Sequence, residues 1–201
     1  MKKKIEFLDL GQQPLANYYL SKNQINKKER KYRLIICFDN NNKLVSIKKT
    51  FSSKMMFNNK YPYRSSMSKT MKRSFKNLAV QIKKKINPKK ILEIGSNDGT
   101  FLKNIEKYAG SQVLGVDPAT NMCKLSRKKS IASLDIFFNY DQAKKIVEDF
   151  GKFDVLYGAN VFNHINNPKN FLLGCKKILK INGIIVIEVP DLNSLFNTYG
   201  F

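Results

Sequence analysis

After Pro88 the chain switches between two hydrophobic periods, and this alternation restricts the possible folds more than any other feature. KKILEIG (89–95), QVLGVD (112–117), SLDIFF (133–138), FDVLYGAN (153–160) and GIIVIEVP (183–190) are short, nearly continuous apolar runs. Between them lie helical patterns over Gly99–Tyr108, Ala119–Lys129, Asp141–Asp149 and Pro168–Lys180. Strands without in-out alternation are buried on both faces, so this order predicts a parallel sheet covered by helices on each side. The expected fold class is α/β, a doubly wound, Rossmann-like sheet of five strands.

What precedes Pro88 is different. Residues 1–60 break into short segments: FLDLG, a loop at Pro14, a basic stretch, then YRLIICF and KLVSI around FDNNN, which predict a β-hairpin. From Ser68 the pattern turns helical, with Met71, Phe75, Leu78, Ala79, Ile82 and Ile86 spaced by three and four. Ser68 suits the N-cap, and Asn87-Pro88 ends the helix. The expected boundaries are therefore 1–60, 61–87 and 88–201.

The net charge of +22 from 37 Lys+Arg and 15 Asp+Glu is distributed unevenly. Residues 1–90 hold 24 basic and 4 acidic residues, while residues 91–201 hold 13 and 11. A basic N-terminal half suits an anionic small molecule as well as an RNA. The three cysteines, Cys37, Cys123 and Cys175, form no paired framework, which points to a reducing compartment. MKKKIEFLDLG has no apolar core after its basic start, so it does not read as a signal peptide, and no apolar run is long enough to span a bilayer. A soluble cytoplasmic protein is expected.

In a doubly wound sheet the ligand lies beyond the carboxyl ends of the strands, beside the first strand-to-helix turn. Here that turn reads Gly95-Ser96-Asn97-Asp98-Gly99. A dinucleotide fingerprint needs a middle glycine for the approach of a pyrophosphate, but Asn97 stands there. Asp98 and the strand residue Glu93 add negative charge, which disfavours a pyrophosphate further. S-adenosylmethionine carries no phosphate and has two cationic centres, so the same acids suit it. Asp117 ends the second strand 22 residues beyond Gly95, where an acid can accept ribose hydroxyls. The competing reading is a plain tight turn at Gly95 and Gly99, with Asp117 capping the next helix.

The run Glu93-x-Gly95-x-x-x-Gly99 resembles motif I of class I methyltransferases. Taken in order, GQQPLANYYL (11–20), YPYRSSMS (61–68), EIGSNDGTFL (93–102), LGVDPATN (114–121), ANVFNHINN (159–167) and IEVPDL (187–192) resemble the sugar C-methyltransferases of deoxysugar biosynthesis. This resemblance implies methylation of a carbon beside the ketone of a nucleotide-linked 4-keto-6-deoxyhexose, with S-adenosylmethionine as methyl donor. By position it implies that Glu93, Gly95, Ser96, Asp98, Gly99, Asp117 and Asn160 line the cofactor, with Asn160 at its methionine end. Tyr63 and Ser65 would close over cofactor and sugar. His164, the one histidine, would lie near the substrate. Tyr61-Pro62-Tyr63 could equally be a packed loop, and His164 a loop histidine bonded to a carbonyl.

Two departures from that family stand out. Its N-terminal zinc module uses two Cys-x-x-Cys pairs, whereas here Cys37 has Asn40 at the partner position and no first pair, so no zinc is expected. The family's Tyr-His-Glu-His stretch, which supplies its base, would follow NTYGF, so a chain truncated before that base is expected. The remaining alternatives are a class I methyltransferase for another small molecule or RNA, and a non-catalytic cofactor-binding remnant. The reading ANVFNH after the fourth strand, in place of Asn/Asp-Pro-Pro-Tyr, argues against methylation of base amino groups.

Overall fold

The computed structural model describes residues 4–198. The basic start at Met1–Lys3 and the Tyr199–Phe201 end of NTYGF lie outside the described residues. The chain divides into two compact units, Met1–Met56 and Phe57–Phe201.

In the first unit, β1 (Ile5–Pro14), β2 (Lys31–Asp39) and β3 (Leu44–Ile47) form an antiparallel sheet in the order β1-β2-β3, followed by the short helix α1 (Ser53–Met56). The β2–β3 hairpin is the one expected around FDNNN. β1, by contrast, runs through the expected loop as far as Pro14. It does so by two register shifts against β2, between Glu6 and Leu8 and between Asp9 and Gln12. At the second shift Gly11 adopts φ +70° and donates its N–H to Asp9 Oδ1 at 2.9 Å. A bulge of this kind lets an irregular sequence stay in a ladder. Asp9 also accepts Arg33 at 2.6 Å, and Lys48 pairs with Glu6 at 2.5 Å, both at the solvent face.

The second unit opens with α2 (Lys69–Lys85), whose N-cap Ser68 accepts the Met71 N–H at 3.2 Å. Strands and helices then alternate as β4 (Lys90–Ile94), α3 (Thr100–Ala109), β5 (Gln112–Val116), α4 (Thr120–Lys128) and β6 (Ser133–Leu134). They continue as α5 (Tyr140–Phe150), β7 (Phe153–Ala159), α6 (Pro168–Ile178), β8 (Leu179–Glu188) and α7 (Leu192–Thr198). The sheet is parallel in the order β6-β5-β4-β7-β8, so the order reverses at β4.

Burial explains why these strands lack alternation. Ile91, Val155 and Tyr157 face Phe75, Ala79 and Ile82 of α2 and Phe101, Leu102 and Ile105 of α3. Their neighbours Leu92, Ile94 and Leu156 face Ala143 and Ile146 of α5 and Phe171, Cys175 and Ile178 of α6. Both faces are therefore covered, and apolar residues on either side of each central strand serve one core or the other. Asn139 and Asn167 cap α5 and α6 by accepting N–H groups at 2.9 and 3.1 Å.

Two elements differ from expectation. SLDIFF is a strand only at Ser133–Leu134. Beyond it Asp135 turns to Arg127, while Ile136 and Phe138 pack into the core from irregular chain, so their apolarity reflects packing and not pairing. At the other edge β8 begins at Leu179 and α6 ends sooner than expected, because Leu179 turns extended and pairs with Phe153. β8 has one neighbour, and Ile184 and Ile187 remain 43% and 37% exposed. No helix among the described residues is long and apolar enough to cross a membrane.

Candidate cofactor site

The loop from β4 to α3 folds back onto the end of β5. The N–H groups of Gly95 and Ser96 both donate to Val116 O, at 2.7 and 3.2 Å, and Gly99 N–H donates to Ser96 O at 2.9 Å. Gly95 and Gly99 have φ of +71° and +73°, a region that L side chains rarely adopt. Space is as restrictive as conformation. A Cβ at Gly95 would meet Val161 Cγ2 at 2.4 Å, and one at Gly99 would meet Ser126 Oγ at 2.4 Å. Under the loop, a Cβ at Gly115 would lie 2.5 Å from Ser96 Oγ. Glycine is required at these three places for the loop to sit so low on the sheet.

Three carboxylates gather here, and each is in a different state. Glu93, at 3% exposure, leaves Oε2 without a hydrogen-bond partner. Burial, reinforced by the like charges of Asp117 and Asp98, pushes its carboxyl well above the usual range. Asp117 accepts Asn97 N–H on Oδ2 and Ala119 N–H on Oδ1, both at 2.8 Å. Burial raises its pKa and these two donors oppose the rise. Asp98 is also raised by burial. There the Ser66 N–H, the Thr100 hydroxyl at 2.7 Å and the Lys129 ammonium at 3.2 Å outweigh it and hold the group below the usual range. Asp98 is thus the compensated acid, while Glu93 and Asp117 are the acids whose ionised forms a bound cation would favour. Ser96 Oγ is a second buried atom without a partner.

The segment 61–66 lies against this loop. Asn121 Nδ2 donates to Tyr61 O at 2.8 Å, and Asn97 Nδ2 to Tyr63 O at 3.1 Å. Asn97 Oδ1 accepts Ser65 N–H at 2.9 Å. Ser65 is buried, whereas the Tyr63 ring is 45% exposed. The Tyr61 hydroxyl is pushed above its usual range by burial and by the nearby Asp117 charge. Phe57 stacks on Tyr61 at 5.5 Å between ring centroids and meets His164 edge-on at 5.4 Å. Packing holds the His164 imidazole below its usual range, and so neutral at pH 7. Its Nε2 lies 3.3 Å from Asn163 Nδ2. Asn160, at φ +53° just beyond β7, donates its N–H to Glu188 O at 2.8 Å.

Of the residues expected at the site, Glu93, Gly95, Ser96, Asp98, Gly99, Asp117 and Ser65 converge at the β4–α3 turn. Tyr63 adjoins them through its carbonyl. Asn160 and His164 follow the neighbouring strand β7, and His164 joins the group only through Phe57 and Tyr61. Sequence reasoning missed Asn97 and Asn121 as structural contacts and Lys129 as the partner of Asp98. Asn97 carried a usable signal, because asparagine is the side chain that best tolerates a positive φ in a glycine position.

The arrangement suits a cationic, phosphate-free cofactor. Low-lying glycines admit a close ligand, and among the described residues two of the three acids have no ion-pair partner. A zinc ion is a different matter. Cys37 is fully buried in β2, and among the described residues no group of three or more His, Cys, Asp or Glu side chains is placed to hold a metal. The residues present do not form a zinc site.

Comparison with known proteins agrees with the sheet. Residues 92–185 match the family model described as "Methyltransferase domain", and residues 1–57 match one described as "Putative zinc binding domain". The C-methyltransferase NovU of Streptomyces niveus is 30% identical over 111 residues, 55% of this chain and 26% of that protein. The ubiquinone biosynthesis O-methyltransferase of Maricaulis maris is 30% identical over 107 residues, 52% of this chain and 42% of that protein. The chain thus spans well under half the length of these curated relatives. Among solved structures, the plantazolicin methyltransferase BamL, in complex with a triazolic desmethylPZN analog and SAH, superimposes with a TM-score of 0.54 at 20% identity. That match covers 68% of this chain and 53% of the other. The PH0226 protein of Pyrococcus horikoshii OT3 gives 0.51 at 18%, covering 75% and 67%. The second unit has the Rossmann-like fold of these methyltransferases.

Proposed function

We propose that the chain is an S-adenosylmethionine-dependent methyltransferase acting on a carbon beside the ketone of a nucleotide-linked 4-keto-deoxysugar. The observation that carries the cofactor part is the buried Glu93 carboxyl group beneath a glycine turn, whose Oε2 has no hydrogen-bond partner among the described residues, in a segment that matches a methyltransferase domain. Bound there, S-adenosylmethionine supplies an electrophilic methyl group to an enolate. The chain's own residues set the conditions for that attack. Gly95 and Gly99 let the loop backbone approach the ligand, Asp117 orients it through hydroxyl contacts, and Glu93 and Asp117 balance its positive charge.

The sugar substrate rests on the ordered sequence resemblance and on the relative that is itself a C-methyltransferase. The excess of 24 basic over 4 acidic residues in 1–90 suits a diphosphate. His164, neutral at pH 7, and Tyr63 are the residues nearest in role to proton transfer from the acceptor carbon. Three free, buried cysteines fit a cytoplasmic setting.

A second reading, O-methylation of another small molecule, is favoured by the ubiquinone O-methyltransferase matches at similar identity. Incubation of the full protein with methyl-labelled S-adenosylmethionine separates the two. A nucleotide-linked 4-keto-6-deoxyhexose should acquire a carbon-bound methyl. Label appearing instead only as O-methyl on a phenolic acceptor would replace the first reading with the second.

A further inference from the structure

We propose that Asn97 is a positioning residue that latches the 61–66 segment onto the cofactor loop, so that loop and segment form one wall of the site. This inference rests on the cofactor reading above and adds a residue to it. It follows from an unusual use of a single side chain. Asn97 occupies the position at which a dinucleotide fingerprint has its middle glycine, with φ +49° and 7% exposure. Its backbone N–H and both carboxamide atoms are engaged. Its N–H donates to Asp117 Oδ2 at 2.8 Å, its carboxamide oxygen accepts Ser65 N–H at 2.9 Å, and its amide nitrogen donates to Tyr63 O at 3.1 Å.

One residue therefore ties the expected ribose acid to a segment more than thirty positions earlier in the chain. Two further bonds, Asn121 Nδ2 to Tyr61 O and Ser66 N–H to Asp98 Oδ2, hold the flanks of the segment but do not reach its centre. The centre carries Tyr63, which is 45% exposed and whose hydroxyl makes no hydrogen bond among the described residues. The position of Tyr63 over the loop is thus set through its carbonyl, by Asn97. A glycine at 97 would keep the backbone and lose the latch. Alanine or leucine would lose both, because a positive φ strains them.

That distinction supplies a clean test. Asn97→Gly keeps an allowed φ, so the fold should survive. Residue-resolved amide exchange on the ligand-free protein should then show Ser65 N–H exchanging at least tenfold faster than in wild type. Gly95, Ser96 and Gly99 N–H groups, which bond to Val116 O and Ser96 O, should keep their rates. Ser65→Pro removes the same donor from the other side. The extended Arg64 that precedes it, at φ −126° and ψ 120°, accommodates proline, and this variant, which has no N–H at 65 to exchange, is read by cofactor affinity. By calorimetry both variants should bind S-adenosylmethionine about tenfold more weakly, the order expected for losing one or two hydrogen bonds.

Ser65 exchange within twofold of wild type in Asn97→Gly overturns the latch. So does equal acceleration across residues 95–99, which would show general loosening of the loop. The exchange experiment needs no ligand. If the wild-type protein fails to bind S-adenosylmethionine while Ser65 protection still depends on Asn97, the cofactor reading fails and the latch stands.

Discussion

Glu93 is where stability and ligand affinity oppose each other most directly. A carboxylate raised by burial binds its proton more tightly in the folded than in the unfolded chain, whose value is about 4.5. Its contribution to stability is therefore fully present below pH 4.5 and is lost as pH rises towards the folded value. Glu93→Gln removes that slope and the unpartnered charge. The variant should be more stable than wild type at pH 7 by about 1–2 kcal/mol, or roughly 2–8 °C in Tm for a domain of this size, and the two should converge near pH 4. The same substitution should weaken S-adenosylmethionine binding, because the cation loses a buried counter-charge. Calorimetric scans from pH 4 to 8 on both proteins check the stability, and titration checks the affinity. A variant both less stable and equally avid would mean that Glu93 is a structural acid with a partner of its own.

The β4–α3 turn depends on its glycines, and here the effect is expected to be large. Gly99→Ala would add a Cβ 2.4 Å from Ser126 Oγ at φ +73°, and Ser126 is fully buried and accepts a hydrogen bond from Ser133 Oγ at 2.6 Å. Neither neighbour yields easily. A loss of about 2–4 kcal/mol is expected, measured by urea denaturation. A loss below about 0.5 kcal/mol would show that the loop can lift off the sheet. This turn was largely legible in the sequence, because glycines, acids and a flanking buried strand each signal locally. The parallel sheet was legible for the same reason: Leu92 and its neighbour Ile91 serve opposite cores, and that leaves an unbroken apolar run. The failures came where tertiary contact overrode local pattern. Ile136 and Phe138 are apolar for packing and not for pairing, and β1 extends to Pro14 through bulges that no local signal announces. The contacts of Asn97 and Asn121 were invisible because each joins chain segments at least thirty residues apart.

The first unit matches a family model described as "Putative zinc binding domain" over residues 1–57 but carries a single cysteine, buried in its sheet. Its sheet is held by the β1–β2–β3 ladder with two surface ion pairs, Asp9–Arg33 and Glu6–Lys48, whose individual contributions are small. Chelation should therefore leave the unfolding transition unchanged within about 1 °C, and elemental analysis should find less than a tenth of a zinc per chain. A chelator-induced loss of the antiparallel-sheet circular dichroism would reverse that conclusion. The second unit holds the claim on which the functional reading depends, that the acids around Gly95–Gly99 select a cationic cofactor over a pyrophosphate. Isothermal titration of the protein with S-adenosylmethionine, its demethylated product and NAD tests it most directly. Saturable binding of the first two, with NAD showing none at the same concentrations, is expected. Binding of NAD in place of S-adenosylmethionine would contradict it.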